Sequence, residues 1–203
     1  MAKANNPILI FDLGNVILEF IGFKEIRKLW MPEVTPEQIR SKWLQSPAMI
    51  ALERGQISPT NFAEIFVKEW GIKIAPNDFL DLFTSWARPP FTGIHELLEG
   101  LNKQYQTACL SNTNAAHWQL FSNEYDIVKY FDHHYASHLM GMVKPDVEIY
   151  AAIVDDLNCA PSDLIFFDDT PENIQSARAF GINGHMVNGI GELKAKCSEL
   201  GLI

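Results

Sequence analysis

The sequence predicts an α/β protein built on a Rossmann-like, doubly wound parallel sheet, with a helical segment inserted after the first strand. Three observations support this fold class. Short runs rich in β-branched and aromatic residues recur along the chain and are typical of buried strands. Longer segments of helical periodicity alternate with most of these runs, whereas one stretch near the N-terminus has helical patterns and no strand. The predicted strands are residues 8–11, 107–110, 134–136, 164–167 and 185–187.

The helices predicted between the strands include residues 93–103 and 145–157. The second opens with Pro145, which suits a first helical turn because the N–H that proline lacks would have no intrahelical partner there. Strands that alternate with helices pair in parallel, since each crossover returns the chain to the same edge of the sheet.

The stretch from about residue 21 to residue 88 departs from this alternation. Pro89 and Pro90 disfavour helix at Arg88 and form a stiff linker after it. We therefore expect two domains: an α/β core of residues 1–20 and 89–203, and a helical cap of residues 21–88. The residues that separate the helical patterns of the cap are Pro32, Pro36, Pro47, Gly55, Pro59 and Pro76.

Composition permits a full hydrophobic core and argues against two classes of partner. The chain has 203 residues, of which 47% are hydrophobic, enough for one large domain or one domain with a small insertion. It carries 25 acidic and 16 basic residues, a formal charge of −9. Such a surface repels nucleic acid and anionic membranes. An anionic substrate therefore needs local positive charge or a metal ion.

Cysteine usage and the N-terminal residues favour a cytoplasmic protein. The three cysteines are too few and too scattered for a disulfide framework, and no Cys-x-x-Cys pattern suggests a zinc site or a redox pair. The first apolar run, residues 8–11, is much shorter than a signal peptide or a membrane span.

Polar residues follow four of the predicted strands. In open parallel sheets, ligands bind beyond the carboxyl ends of the strands. Taken singly, each of these residues could cap a helix or satisfy turn amides. Together they supply a nucleophile, oxyanion donors, a fixed cation and metal-binding carboxylates, which phosphoryl transfer requires. The residues are Asp12 with Gly14, Ser111 with Asn112, Lys144, and Asp168 with Asp169.

The order of these segments resembles the four sequence motifs of the haloacid dehalogenase superfamily. The resemblance covers nearly the whole chain. Within the superfamily the chain is most similar to the bacterial α-D-glucose-1-phosphate phosphatases and to the N-terminal phosphatase domain of soluble epoxide hydrolases. The segment Leu52-Glu53-Arg54-Gly55 in the insertion also resembles that subgroup. The four motifs read Phe11-Asp12-Leu13-Gly14-Asn15-Val16, Leu110-Ser111-Asn112-Thr113, Val143-Lys144-Pro145-Asp146 and Phe166-Phe167-Asp168-Asp169.

The resemblance implies a magnesium-dependent phosphatase that acts on a small phosphorylated metabolite, with a sugar phosphate such as a hexose 1-phosphate favoured. Asp12 would attack phosphorus to give an aspartyl phosphate, which water hydrolyses. Mg²⁺ would be held by Asp12, Asp169 and the carbonyl of Gly14, with Asp168 either an alternative ligand or a support.

The resemblance also implies how the phosphoryl group is held. The Ser111 hydroxyl and the Asn112 backbone N–H would donate to its oxygens, and Lys144 would neutralise it together with the nucleophile.

Gly14 departs from the family pattern, which usually has an aspartate there as general acid and base. A glycine cannot transfer a proton, a function worth about 10²–10⁴-fold in rate. The sequence leaves Asn15, a group from the insertion, or solvent as the acid. Without a positioned acid, we expect the rate to depend steeply on the basicity of the leaving group.

The insertion would act as a cap that closes over the site and recognises the leaving group. Glu53 and Arg54 are the candidate contacts. A purely structural interpretation also stands, because Gly55 can end one helix and Ser58-Pro59 can start the next.

Two other functions compete with a phosphatase. A 2-haloacid dehalogenase on the same fold would use Asp12 to displace halide, but this chemistry needs no metal and leaves the pair Asp168-Asp169 without a purpose. A catalytically silent protein that binds a phosphorylated ligand would account for Gly14, although retention of Asp12 argues against it.

Overall fold

A parallel five-stranded sheet forms the centre of the protein in a computed structural model that describes residues 6–203. Residues 1–5, with which the predicted core segment starts, lie outside the described residues. They make up most of the stretch that precedes the first apolar run. The strands of the described chain are β1 (Ile8–Phe11), β2 (Leu18–Phe20), β3 (Ala87–Pro90), β4 (Thr107–Ser111), β5 (His133–Ala136), β6 (Leu164–Asp168) and β7 (Asn183–Met186).

The central sheet has the order β5-β4-β1-β6-β7, and every pairing in it is parallel. Its five strands are the five that the sequence predicts, with ends that differ by at most two residues. The chain builds outward from β1 first through β4 and β5 and then, on the other side, through β6 and β7. This reversal makes the end of β1 a topological switch point. The predicted doubly wound α/β fold is confirmed.

Alternate residues of the central strands pack on opposite faces of the sheet. On β1, Leu9 and Phe11 belong to one hydrophobic cluster, and Ile8 and Ile10 belong to another. Because helices cover both clusters, β1 is apolar throughout instead of alternating with polar residues, as expected of a strand buried on both faces.

Eleven α-helices connect or flank the strands among the described residues. They are α1 (Gly22–Trp30), α2 (Pro36–Leu44), α3 (Pro47–Glu53), α4 (Pro59–Glu69), α5 (Pro76–Ser85), α6 (Ile94–Asn102), α7 (Ala115–Gln119), α8 (Ser137–Met140), α9 (Val147–Leu157), α10 (Pro171–Phe180) and α11 (Gly189–Glu199).

Helices α1 to α5 occupy the insertion and have a hydrophobic cluster of their own. Four of them begin at a proline, at Pro36, Pro47, Pro59 and Pro76. In three cases the preceding Ser or Thr side chain accepts a hydrogen bond from a backbone N–H of the first turn. The prolines that separate the helical patterns in the sequence are therefore helix starts, which satisfies proline's fixed φ without the loss of an intrahelical hydrogen bond.

Strands β2 and β3 form an antiparallel ribbon where the chain enters and leaves these helices. The boundaries predicted from the sequence, after residue 20 and before residue 89, fall at this ribbon. Pro89 and Pro90 lie in β3, so the segment predicted as a stiff linker is an extended strand. Proline suits an edge strand such as this one because it has no N–H to leave unpaired.

The helix predicted to open at Pro145 in fact begins at Val147. Pro145 follows a cis peptide bond with Lys144 and lies in the loop before the helix. The prediction of the helix itself is confirmed, but the interpretation of Pro145 as its first residue is wrong. The other predicted helix, 93–103, is observed at Ile94–Asn102, after Gly93 in a left-handed conformation with φ +84°.

Among residues 6–203, no helix is long and apolar enough to span a membrane.

Candidate active site

Three strand ends meet at the carboxyl edge of the sheet. Asp12 directly follows β1, and its backbone N–H donates to Phe167 O on β6 at 2.8 Å. Ser111 is the last residue of β4, and Asp168 is the last of β6. Because β4 and β6 both pair with β1, the three side chains lie at the switch point of the sheet. All three are at least nine-tenths buried.

Lys144 joins two of these residues. Its Nζ donates to Asp12 Oδ1 at 2.9 Å, to Asp168 Oδ2 at 2.6 Å and to Leu110 O at 3.0 Å. The ammonium thus uses all three of its donors on fixed acceptors. A buried lysine with this geometry holds a full positive charge beside the predicted nucleophile.

Asn112 fixes the segment that carries Lys144. Its side-chain Nδ2 donates to Lys144 O at 2.9 Å, and its Oδ1 accepts from Lys144 N at 2.8 Å. The amide group therefore clamps the backbone of the loop after β5 to the end of β4. This role of the Asn112 side chain is not predicted by the sequence, which assigns only the backbone N–H of the residue to substrate.

The carboxylates of the site outnumber its cations. Burial raises the pKa of Asp12 to about 7; the Lys144 charge opposes this shift, whereas Asp168 and Asp169 reinforce it. Burial also raises the pKa of Asp169, against hydrogen bonds from Asn15 and Thr170. For Lys144, burial alone would lower the pKa, but Asp12 and Asp168 outweigh it and raise the pKa of the ammonium. Three carboxylates and one ammonium leave a site that attracts a further cation.

The donor set suits Mg²⁺. Asp12, Asp168 and Asp169 each offer a carboxylate oxygen, and these atoms lie within 4.8 Å of one another. Hard oxygen ligands of this kind, few in number and completed by water, are what Mg²⁺ prefers. Gly14, whose carbonyl the sequence names as a third ligand, lines the same cavity.

Asp168 differs from the other two carboxylates because protein donors already surround it. Its Oδ1 accepts from Thr170 N at 2.8 Å and from Asn173 Nδ2 at 3.1 Å. Its Oδ2 accepts from Lys144 Nζ and from Asn173 Nδ2 at 3.0 Å. Of the two roles that the sequence left open for Asp168, these contacts favour support of Lys144 over direct ligation.

Asn15 holds Asp169 in place. Its Nδ2 donates to Asp169 Oδ2 at 3.0 Å, and its Oδ1 accepts from Phe20 N at 3.0 Å. The residue adopts a left-handed conformation with φ +54°, which asparagine tolerates better than most residues. The turn after β1 thus connects the predicted metal ligands to the start of the helical insertion.

A cavity of about 470 Å³ opens above these residues. Its floor is formed by the strand ends, and its opposite wall comes largely from β2 and the inserted helices. That wall is mainly apolar. Its apolar residues include Phe20, Phe23, Trp43, Leu44, Met49, Ile50 and Phe83.

Glu53 and Arg54, the predicted contacts from the insertion, both line this cavity at the end of α3. The Arg54 guanidinium is already engaged: its Nη1 donates to Gly141 O at 3.3 Å, and its Nη2 forms an ion pair with Asp146. The Glu53 carboxylate forms no hydrogen bond or ion pair with any residue in the range 6–203. The structure therefore brings both residues to the predicted site but leaves only Glu53 unengaged.

The sequence did not identify two further features of the cavity. Arg40 on α2 forms a bidentate contact with Glu172 on α10, at 3.0 and 2.6 Å. His117 lies buried on α7, with Nε2 2.9 Å from Phe83 O and Nδ1 3.1 Å from Asn114 Nδ2. No local sequence pattern indicates either feature, because the contacting residues are far apart in the chain. Arg40 and Glu172 are separated by 132 positions, and His117 and Phe83 by 34 positions.

The Thr113 hydroxyl is a buried group without a protein partner within residues 6–203. Thr113 is only 3% exposed and lines the cavity. A buried hydroxyl without a partner is costly, so Thr113 Oγ1 is available to a bound molecule.

Comparison with known proteins places this site in a family. Residues 9–187 match the haloacid dehalogenase-like hydrolase family. The chain is 26% identical to the D-ribitol-5-phosphate phosphatase of Bacteroides thetaiotaomicron, over 85% of this chain and 87% of that protein. It is 28% identical to flavin mononucleotide hydrolase 1 of Arabidopsis thaliana, over 98% of this chain and 80% of that protein.

A solved structure also resembles this chain. It is a haloacid dehalogenase (HAD) family enzyme from Bacteroides thetaiotaomicron, crystallised with magnesium and inorganic phosphate. It superimposes on this chain with a TM-score of 0.73 at 25% sequence identity, and the match covers 90% of this chain and 94% of that one. Since the family match spans most of the chain and agrees with the four motifs and the sheet order, the protein belongs to the haloacid dehalogenase-like hydrolases.

Proposed function

We propose that the protein is a magnesium-dependent phosphatase that hydrolyses a small phosphorylated metabolite through an aspartyl phosphate on Asp12. The observation that carries the proposal is the placement of three carboxylates within 4.8 Å of one another, two of them bonded to the buried Lys144. Aspartate nucleophile, fixed cation and oxygen-rich metal site are the groups that phosphoryl transfer needs.

Each residue has a distinct part in the proposed reaction. The Asp12 carboxylate attacks phosphorus, and the bond to the departing alcohol oxygen breaks. Lys144 orients Asp12 through Oδ1 and keeps positive charge next to the transferring group, while Ser111 donates its hydroxyl to a phosphoryl oxygen. The Asn112 backbone N–H is a second donor to the same oxygens. Water then attacks the aspartyl phosphate and releases phosphate.

Asp12, Asp169 and the Gly14 carbonyl would hold the metal ion, with Asp168 as support. When bound, Mg²⁺ would reduce the repulsion between a carboxylate nucleophile and an anionic phosphate. Asn15 keeps Asp169 in place through its 3.0 Å hydrogen bond. Asp168 keeps Lys144 charged and in position.

The inserted helices would act as a cap domain, residues 21–88, over a core of residues 1–20 and 89–203. Their separate hydrophobic cluster supports this division. The cavity of about 470 Å³ between them and the strand ends suits a small compound. A sugar phosphate such as a hexose 1-phosphate is our preferred substrate class, on the resemblance to the sugar-phosphate phosphatases, and we place the reaction in the cytoplasm.

The test is turnover of p-nitrophenyl phosphate and of a panel of phosphorylated metabolites with Mg²⁺, before and after chelation by EDTA. We expect activity that requires Mg²⁺ and that Asp12→Asn abolishes, because the isosteric amide is a poor nucleophile. Unchanged turnover in Asp12→Asn would overturn the covalent mechanism. Metal-independent release of halide from a 2-haloacid would instead indicate a dehalogenase, and the absence of any turnover would favour a binding protein.

A further inference from the structure

The proposed reaction needs a proton donor that the strand ends do not provide. The departing alkoxide is a strong base, and protonation of such a leaving group in the transition state contributes about 10²–10⁴-fold in rate. The residue two positions after Asp12 is Gly14, which has no side chain to donate a proton. Besides solvent, the candidate donors are therefore the titratable groups that line the cavity.

Two candidates near the strand ends are already occupied. Asn15 carries an amide, which is not an acid near neutral pH, and both ends of that amide are hydrogen-bonded. His117 has contacts at both ring nitrogens. Burial lowers the pKa of His117 to about 4, against the effect of its bond to Phe83, so the imidazole is neutral at pH 7 and its remaining proton is directed at a carbonyl.

Two carboxylates at the edge of the cavity are also engaged. Glu172 is exposed and bonded to Arg40, which lowers the pKa of this carboxyl. Asp146 forms the ion pair with Arg54. The guanidinium of Arg40 thus holds Glu172 as a carboxylate, which has no proton to donate at neutral pH, and the Asp146 carboxylate is already engaged by Arg54.

Among the described residues that line the cavity, Glu53 has the one carboxyl group that is neither a proposed metal ligand nor paired. It faces the cavity that contains Asp12 and Lys144, and within residues 6–203 no donor or cation bonds to it. Burial raises the pKa of Glu53 to about 7, with the Lys144 charge as the opposing influence. A carboxyl group with a pKa in this range exists near neutral pH in both its protonated and its ionised form, as a group that must both give and accept a proton requires.

The turn that carries Glu53 is fixed to the core beside Lys144. Arg54 is joined to Gly141 O and to Asp146, two residues after Lys144. Gly55 adopts φ +67° and packs so tightly on His138 of α8 that a Cβ at this position would lie 2.1 Å from its carbonyl oxygen. The polar contacts and the close approach hold the last turn of α3 against the loop that supplies Lys144, so that Glu53 does not depend on a flexible segment for its position.

We infer that Glu53 is the general acid and base of this site, donating its proton to the leaving oxygen in place of the aspartate that Gly14 replaces. The inference rests on the proposed phosphatase function. In the first step, an oxygen of Asp12 bonds to phosphorus, the bond from phosphorus to the alcohol oxygen breaks, and that oxygen takes its electron pair and the Glu53 proton.

In the second step, the Glu53 carboxylate accepts a proton from the attacking water as the bond from Asp12 to phosphorus breaks. Glu53 returns to its protonated form, and the net change is one phosphate monoester and one water converted to alcohol and phosphate. A cap residue thus completes the chemistry that the core alone lacks.

The sequence alone led us to expect a steep dependence of rate on leaving-group basicity. With Glu53 as the acid, we expect a shallow dependence in the unmodified protein and a steep one once Glu53 is lost. The test compares Glu53→Gln with Glu172→Gln, a matched control because Glu172 lines the same cavity but pairs with Arg40. Single-turnover rates are measured with Mg²⁺ on p-nitrophenyl phosphate, phenyl phosphate and an alkyl phosphate.

Glu53→Gln should lower the rate on the alkyl and phenyl esters by about 10²–10⁴-fold. Its rate on p-nitrophenyl phosphate should change by less than about tenfold, because this leaving group departs without protonation. Glu172→Gln should change none of the three rates by more than about threefold, because Glu172 pairs with Arg40 and has no proposed part in proton transfer. Folding of Glu53→Gln is checked by its melting temperature and by binding of beryllium fluoride with Mg²⁺, which should match the unmodified protein.

The pH profile gives an independent readout. Relative to Glu53→Gln, the unmodified protein should lose rate on phenyl phosphate as pH rises through about 7, because protonated Glu53 is lost. Asp12, whose pKa is also raised to about 7, titrates in both proteins, so the difference between the two profiles isolates Glu53. The charged and titratable groups that share the cavity with Glu53 are Asp12, Arg40, Arg54, His117, Lys144, Asp146, Asp169 and Glu172.

Equal losses on all three esters, or no loss, would overturn the role of Glu53 while the phosphatase proposal stands. A protein that hydrolyses none of the esters with Mg²⁺ would overturn both.

Discussion

Gly55→Ala tests whether contact between the cap and the core positions the catalytic groups. The added Cβ would lie 2.1 Å from His138 O, whereas real Cβ contacts are essentially never shorter than 3.0 Å. The turn or α8 must therefore move by at least about 0.9 Å. The atom in the way belongs to the backbone, so a side-chain rotation cannot relieve the clash. The expected movement shifts Glu53 relative to the strand ends.

Gly71→Ala is a matched control. Gly71 follows the end of α4 as Gly55 follows the end of α3, and it has the same φ of +67°, but a Cβ there would meet nothing within 4 Å. Both variants place a non-glycine residue in a left-handed backbone conformation, which costs about 1–2 kcal/mol of stability. Only Gly55→Ala adds displacement of the turn.

We expect Gly71→Ala to lower the melting temperature by a few degrees and to leave the kinetics unchanged. Gly55→Ala should in addition lower the single-turnover rate on phenyl phosphate by about 10²-fold, since a misplacement of about 1 Å can cost that much. Its rate on p-nitrophenyl phosphate should fall much less, because that ester does not need the Glu53 proton. If Gly55→Ala retains the rate ratio of the unmodified protein for the two esters, the cap does not position the acid as we infer.

Two further substitutions follow from the same geometry. Gly14→Asp in the Glu53→Gln background should raise the rate on phenyl phosphate at least tenfold above that of Glu53→Gln alone. There is room for the side chain, because a Cβ at Gly14 would make only ordinary contacts of 3.9 Å with Asp12 Oδ2 and Phe20 Cβ. No recovery in single-turnover assays would mean that an acid at this position cannot reach the leaving oxygen. Arg54→Ala should lower the rate on phenyl phosphate about tenfold or more, with little change in the rate on p-nitrophenyl phosphate. Arg54→Lys should recover part of the lost phenyl phosphate rate. An effect confined to KM for the natural substrate would instead identify Arg54 as a substrate contact.

The sequence by itself determined the sheet and the set of residues at its carboxyl edge. Residues 8–11 and 164–167 form continuous apolar runs because strands covered on both faces bury every side chain. In a parallel sheet the carboxyl ends of neighbouring strands lie on one edge, so Asp12 and Asp168 had to meet wherever their strands paired. The helical character of the insertion was equally local, since Pro36, Pro47 and Pro59 mark helix starts by restricting their own backbone.

Only the tertiary structure decided which polar groups are free to react. Asp168 and Asp169 are adjacent in sequence and chemically identical, yet one is saturated by Lys144, Thr170 and Asn173 while the other faces the cavity. The sequence likewise treated Glu53 and Arg54 as equivalent contacts. Arg54 is paired with Asp146, 92 positions away, whereas no residue in the range 6–203 pairs with the Glu53 carboxylate. Pairing between distant residues depends on how the inserted helices dock on the sheet, and docking is set by packing of whole surfaces that no local pattern encodes.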